Sequence, residues 1–347
     1  VTDGLTPACP IPLPAGERVL LGHGSGGRLS AELVNGLFLP LFADAELDRL
    51  GDAAVLDVEG VRLAFTTDAF VVQPPFFPGG DIGALSVHGT VNDLAMVGAR
   101  PLALSVAFIL EEGFPLERLG AIATSLADAA KAAGVRLVTG DTKVVEQGAA
   151  DGIFVVTSGI GVVADGIELG PDRLRPGDAI VVSGPVGSHG TAVLSRRAGV
   201  AFDTDVESDS APLTDLVHAL LARVEVHALR DATRGGVATV LNELATASGV
   251  QLTIDEAAVP VLEGVHSACA TLGLDPLYVA NEGVCVVIVA GDDADEALAT
   301  ARAEAVGAQA ALVGVVEEGP PGVRLRTRMG STRPLLVLTG DQLPRIC

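Results

Sequence analysis

The length of the apolar runs most limits what this chain can become. Runs such as Leu102–Leu110 and Gly283–Ala290 stop far short of the roughly 20 residues a membrane-spanning helix needs. Gly283–Ala290 is rich in β-branched residues, and both runs have the length of short buried strands. Between them lie Ala-rich stretches with apolar residues three or four apart, the spacing of helices. A chain of 347 residues built this way is long enough for two domains. Apolar residues make up 49% of it but aromatics only 3%, so its cores must be packed from Val, Leu, Ile and Ala.

Read in order, residues 1–16 form a proline-rich leader, expected to be flexible, with no basic or apolar signal-peptide pattern. A first domain is expected over 17–166. In it Ala53–Val58 and Val61–Thr67 flank a tight turn at Glu59-Gly60, and Asp81–Gly98 reads as a helix. Pro101–Leu110, Val135–Val138 and Ile153–Val163 read as strands. Pro115 opens a helix with Leu116, Leu119, Ile122 and Leu126 on one face. The turn-rich segment Gly170–Gly177 marks a boundary. A second domain over 170–339 follows, with strands at Ala179–Val182, Gln251–Ile254, Val284–Val289 and Leu312–Val316. Residues 340–347 read as a short mobile tail, because Pro344 blocks a helix and nothing follows to bury it.

The formal net charge of −22, from 44 acidic against 22 basic residues, disfavours nucleic acid and anionic membranes as partners. A small polyanion can still bind where backbone N–H groups, lysines or a divalent cation reverse the field locally. Cys9, Cys269, Cys285 and Cys347 lie far apart, with no CxxC pair, which fits neither a zinc site nor a disulfide framework. A reducing cytoplasm is the expected location. Cys269 and Cys285 sit in apolar sequence and read as core residues.

Four acids share one setting. Asp52, Asp68, Asp93 and Asp141 are each flanked by small residues and bordered by apolar sequence, in Gly51-Asp-Ala-Ala54, Thr66-Thr-Asp68, Val91-Asn-Asp-Leu94 and Gly140-Asp-Thr-Lys143. Each alone could be a cap or turn residue. Together they place carboxylates near a cleft, where unpaired anions are costly and Mg²⁺ is a natural compensation. The loop Gly22-His-Gly-Ser-Gly-Gly27 fits GxGxxG, but a hairpin follows it where a dinucleotide fold needs a crossover strand. A loop that folds over phosphates, or a purely structural turn, remains open there. His23, His88 and His189 could contact phosphate or serve structure, and their spacing suggests no zinc site.

These four segments, with Asp231-Ala-Thr-Arg-Gly-Gly236, resemble the AIR synthetase (PurM-like) superfamily. Gly22–Gly27, Ser86–Asp93, Gly187-Ser-His-Gly190 and the ending Pro344-Arg-Ile-Cys347 most resemble its NiFe-hydrogenase maturation branch, the HypE family. The resemblance spans the chain after the leader. It implies an α+β fold of two PurM-like domains, mixed sheets backed by helices, the first sheet four-stranded, with a flexible C-terminal tail. It also implies a homodimer with ATP near the subunit interface. Asp52, Asp68, Asp93 and Asp141 would hold Mg²⁺ and polyphosphate, with Asn92, Thr142 and Lys143 contributing to the nucleotide site.

The same resemblance supplies a reaction at Cys347. A HypF-type carbamoyltransferase would load a carbamoyl group onto the sulfur, and ATP would activate its oxygen as a phosphate leaving group. A thiocyanate would remain, its cyanide destined for iron held by a HypC–HypD complex. Lys143 would place positive charge at the transferred phosphoryl group, and Glu282, in Ala280-Asn-Glu-Gly283, would take a proton from the carbamoyl nitrogen. Two other readings stand beside this one: a PurM-like kinase or synthetase acting on a free small molecule, and a non-catalytic thiol carrier.

Overall fold

A computed structural model describes residues 18–24, 26–42, 44–197, 205–340, 343 and 345–347. The proline-rich leader, Cys9 included, lies outside the described residues, as do Asp341, Gln342 and Pro344 of the tail segment.

The first domain is built on a sheet of five strands, one more than the four expected: β1 (Ala54–Val58), β2 (Val61–Phe70), β5 (Ala99–Glu111), β6 (Arg136–Val145) and β7 (Ile153–Val163). Their order is β1-β2-β7-β5-β6. All neighbours are antiparallel except β5 and β6, which run parallel. A two-stranded ribbon, β3 (Phe76–Phe77) with β4 (Gly80–Asp81), leads into the helix Ile82–Met96. Asp81 caps that helix, its Oδ1 accepting the N–H groups of Gly83 and Ala84. The helix is buried along most of its length, between the sheet, the helix Leu116–Ala132 and the second domain. Gly83 permits the close approach: a Cβ there would lie 2.3 Å from the Ile122 carbonyl oxygen.

The helix Leu116–Ala132 buries Ile122, Leu126, Ala129 and Ala130. Leu116, expected on the same face, is 82% exposed. The expected strand at Val135–Val138 is longer than its apolar part. It continues through Gly140-Asp-Thr-Lys143 to Val145 as β6, since an exposed edge strand can carry polar residues.

The second domain holds a seven-stranded sheet in the order β14-β13-β10-β12-β8-β11-β9. Its strands are β8 (Ala179–Val182), β9 (Val226–Asp231), β10 (Gln251–Asp255), β11 (Cys285–Val289), β12 (Ala311–Glu317), β13 (Gly322–Arg326) and β14 (Thr332–Pro334). β8 and β11 are buried throughout, which explains why they read as unbroken apolar runs. Cys269 and Cys285 are buried, and burial pushes their thiols up to about 11 and about 12, so both are inert core residues.

One hydrophobic cluster joins the two domains. Phe70, Val72 and Ile82 of the first pack with Val193, Val265 and Val279 of the second, and Leu343 and Ile346 complete the same cluster. The apolar residues at the end of the sequence thereby lie in the core between the domains, and Cys347 packs against it, half-buried.

Candidate active site

The site lies where β2 and the helix Ile82–Met96 face the end of β9 and the turn that follows it. Asp68 on β2, Asp93 on the helix, Asp52 just before β1 and Asp231 at the end of β9 all converge there. Burial is the first cause holding each of these carboxyls above its ordinary range. Mutual repulsion adds to it at Asp52, Asp93 and Asp231, whereas at Asp68 the Arg234 guanidinium and a hydrogen bond with Asp93 oppose it. Asp52 is pushed up to about 6 despite the Arg230 guanidinium beside it. Thr66 Oγ1 donates to Asp93 Oδ2 over 2.7 Å and lies 3.1 Å from the Asp52 carbonyl oxygen, so one hydroxyl sits between the two acids' segments. One Asp52 oxygen, Oδ2, is buried without a hydrogen-bond partner among the described residues.

Two arginines of the second domain face these acids. Arg230 reaches Asp52 Oδ1 and Glu243, and donates to the Leu50 carbonyl. Arg234 donates to the Gly24 carbonyl over 2.8 Å, which fastens the glycine loop to the Asp231–Gly236 turn. Between them opens a cavity of about 320 Å³, lined by His23, Gly24, Ser30, Asp52, Asp231 and Arg234 among others. Negative charge at Cys347 is the first cause holding the Arg234 proton, followed, against the effect of burial, by Asp68, Glu282 and Asp93. Arg234 therefore feels the negative charge of both the last residue of the sequence and the acids.

Glu282 is buried on the second-domain side, and its Oε1 has no partner among the described residues. Burial first, then Asp231, Asp209 and Asp68, hold its carboxyl well above the ordinary range. The peptide N–H groups of Glu282 and Gly283 both donate to Asp209 Oδ2. A Cβ on Gly283 would lie 1.8 Å from the Asp209 carbonyl oxygen, so only glycine fits this crossing. Asn92 is buried beside Glu282. Its amide nitrogen donates to the Glu282 and Ala211 carbonyls, and its oxygen accepts the Leu213 N–H.

Asp52, Asp68, Asn92, Asp93 and Glu282 are thus brought together, with Cys347 at the edge. Asp141, Thr142 and Lys143 are not part of this cluster within one chain. They lie exposed on the edge strand β6, where Lys143 Nζ pairs with Asp141 and the Thr142 N–H donates to Asp141 Oδ1. That pairing holds the Asp141 carboxyl below its ordinary range. Register runs from Asp68 through Thr157 and Val106 to Gly140, three strands away, or roughly 14 Å at strand spacing. Alternation then turns Asp141 and Lys143 to the face opposite Asp68. Among the described residues no three His, Cys, Asp or Glu side chains already form a metal-holding group.

Asp209, Arg230, Arg234 and Asp231 escaped the sequence reading as site residues. Asp231 had a usable signal, since Asp231-Ala-Thr places an acid beside small residues after an apolar stretch, as at Asp52. Asp209 had none. His189 is buried and His88 half-buried, and neither lines the cavity. His88 Nδ1 bonds to Ser210 Oγ, and burial lowers both imidazoles to about 4.

Two halves of this architecture match a known class. Residues 50–163 match the N-terminal domain of AIR synthase related proteins, and 175–326 match the C-terminal domain. Carbamoyl dehydratase HypE of Cupriavidus necator is 54% identical over 333 residues, 95% of each chain. A crystal structure of a HypE–HypF complex aligns with TM-score 0.85 and 46% identity, covering 88% of this chain and 99% of that one. HypE crystallised in complex with ATP aligns with TM-score 0.80 and 48% identity, covering 95% and 100%. The chain belongs to the HypE family. No helix among its described residues is long and apolar enough to cross a membrane.

Proposed function

We propose that this chain is an ATP-dependent carbamoyl dehydratase of NiFe-hydrogenase maturation, acting on a carbamoyl group carried by its own Cys347. The single observation that supports this most is the docking of the chain end: Cys347 packs half-buried against the inter-domain cluster, and its main-chain oxygen accepts the N–H of Val71, three residues beyond Asp68. The kinship with HypE crystallised with ATP supports ATP as the co-substrate, and the likeness to the HypE–HypF complex supports a HypF-type carbamoyl donor.

The chemistry follows from the groups present. An amide oxygen is a very poor leaving group until it is phosphorylated. The carbamoyl oxygen on Cys347 attacks the γ-phosphorus of ATP and ADP departs. The nitrogen then loses its protons as the C–O bond breaks, leaving S–C≡N and phosphate. Glu282 takes one proton from that nitrogen and the departing phosphate takes the other. Its burial raises its basicity, which suits a general base once it is ionised. Arg234 offsets the negative charge of the last residue and of the acids.

The donor set suits Mg²⁺: it is all carboxylate oxygen, and Asp52 Oδ2 is buried with no partner among the described residues. Asp52, Asp68 and Asp93 would hold the ion, which when bound neutralises polyphosphate charge. Asp141 would join them, with Thr142 and Lys143 in the nucleotide site, from the second copy of a homodimer. The outer face of the first-domain sheet carries exposed Leu56, Val58, Phe65 and Ile160 together with Asp141 and Lys143, a surface suited to a copy of itself. The cyanide would pass to iron on a HypC–HypD complex, in the cytoplasm.

Intact mass spectrometry after incubation with the carbamoyl donor enzyme, then ATP, tests the reading. A gain of about 43 Da on Cys347 followed by a loss of about 18 Da is expected. Unchanged mass after ATP overturns the dehydratase reading, and ATP turnover by Cys347→Ala with an added metabolite would favour a free-substrate enzyme.

A further inference from the structure

Three consecutive main-chain oxygens at the end of the sequence are each taken by a donor of the protein. The Arg345 carbonyl accepts from Arg197 Nη2 over 2.6 Å and from the Gln73 N–H over 3.3 Å. The Ile346 carbonyl lies 3.0 Å from His189 Nε2, and the Cys347 oxygen accepts the Val71 N–H over 2.9 Å. Outside this row, Arg345 forms an ion pair with Asp151. His189 and Arg197 come from one short stretch, the helix Ser188–Ser195 and the residues just after it.

Chemistry fixes the state of His189. A carbonyl can only accept, so Nε2 carries the proton. Nδ1, 2.8 Å from Ser208 Oγ, accepts the hydroxyl proton. The ring is fully buried and packs edge-on against Phe77 at 5.2 Å between centroids. Ser208 Oγ also accepts the Ser210 N–H, and between them Asp209 accepts the N–H groups of Glu282 and Gly283. The same strap of residues therefore braces the histidine that holds the tail and the backbone of the proposed base.

We infer that His189 and Arg197 are positioning residues for the reaction: they clasp the tail carbonyls, set the balance between docked and released Cys347, and link docking to the orientation of Glu282 through Ser208 and Asp209. This rests on the carbamoyl dehydratase reading, since a sulfur loaded by another enzyme must leave the cleft and return to it. Loosening the clasp has opposite effects on the two halves of the cycle. Loading by the donor enzyme speeds up or holds, while dehydration slows.

The test needs neither ATP nor donor enzyme. The full chain is treated with iodoacetamide and labelling of each cysteine is followed by peptide mass mapping. His189→Ala should raise the Cys347 labelling rate about five- to tenfold, the worth of one neutral hydrogen bond, and Arg197→Ala, which removes a charged donor, roughly ten- to a hundredfold. His189→Gln, which keeps an N–H donor, should restore slow labelling. Asp151→Asn, at a partly exposed site, should give a smaller rise and stands in where a buried variant fails to fold. Wild-type labelling in folded variants overturns the clasp. So does an equal rise at Cys269 and Cys285, which reports general loosening. Faster Cys347 labelling in a protein that never dehydrates a carbamoyl group would leave the clasp standing and remove the proposed reaction instead.

Discussion

Arg230 Nε lies 3.2 Å from Asp52 Oδ1, beside an acid set that also contains Asp93 and Asp231. The pair is largely shielded from water, with Glu243 on the outer side of the guanidinium. Removing one partner of a buried pair leaves the other charge uncompensated, typically at about 3–5 kcal/mol. Arg230→Met should therefore lower the urea unfolding midpoint sharply. Asp52→Asn should cost less by itself, because Glu243 still pairs with Arg230, and should recover much of the loss when combined with Arg230→Met, because it removes the stranded anion. Additive single-variant losses would show that the two residues do not act on one another.

Glu282→Gln keeps the shape of the side chain and removes its basicity. Loading of Cys347 by the carbamoyl donor should proceed as in the wild type, since Glu282 has no part in it. Dehydration should slow by about 10²–10⁴-fold, the usual contribution of a positioned base. Mass spectrometry would show the carbamoylated chain persisting in the presence of ATP. Wild-type conversion in this variant would assign the proton transfer to another group.

Much of the fold was legible because apolar periodicity was undisturbed. Ile153–Val163 and Ala179–Val182 occur with the bounds read from sequence. β9 was missed because His227, Arg230 and Asp231 interrupt its pattern. His227 is nonetheless buried there, bonded to Asp178 at 2.7 Å and Glu225 at 3.1 Å, so tertiary partners overrode the local signal. Of the acids, Asp52, Asp68 and Asp93 were legible through their small neighbours. Asp209 was not, because its role comes from crossing Gly283, a residue 74 positions away in sequence. Glu282 was marked by family likeness, whereas its buried, partnerless oxygen is a property only three-dimensional packing creates.

Asp209 gives the fold a pH dependence of known sign. Burial pushes its carboxyl up to about 6 against an ordinary 3.8, although backbone N–H groups, including those of Glu282 and Gly283, oppose the rise. The folded chain therefore holds this proton more tightly than the unfolded chain does. The resulting stability is fully present below about pH 4 and is lost as pH rises through 6. A tenfold difference in proton affinity between folded and unfolded chain is worth about 1.4 kcal/mol, so the loss is at most about 3 kcal/mol, less wherever water reaches the group. Asp209→Asn should flatten the unfolding free energy between pH 4 and 7 relative to wild type, as measured by urea titration at each pH. An unchanged slope would place the titration elsewhere.

Phe65 and Ile160 are cross-strand partners of β2 and β7, and both are more than two-fifths exposed on the outer face of the first sheet. Asp141 and Lys143 share that face, roughly 14 Å across the sheet from the level of Asp68. Completing the nucleotide site from a second copy requires this face to be the dimer contact. Ile160→Lys would place a charge in the middle of the apolar surface without touching the core behind it. Sedimentation should then report a monomer with a wild-type melting profile for the second domain. ATP affinity should fall at least tenfold, about 1.4 kcal/mol, in step with the loss of dimer. Lys143→Ala should weaken ATP binding while the dimer persists, which separates contact from chemistry. A monomeric Ile160→Lys protein that still binds ATP as the wild type does would place the whole nucleotide site within one chain and leave Asp141 and Lys143 without a part in it.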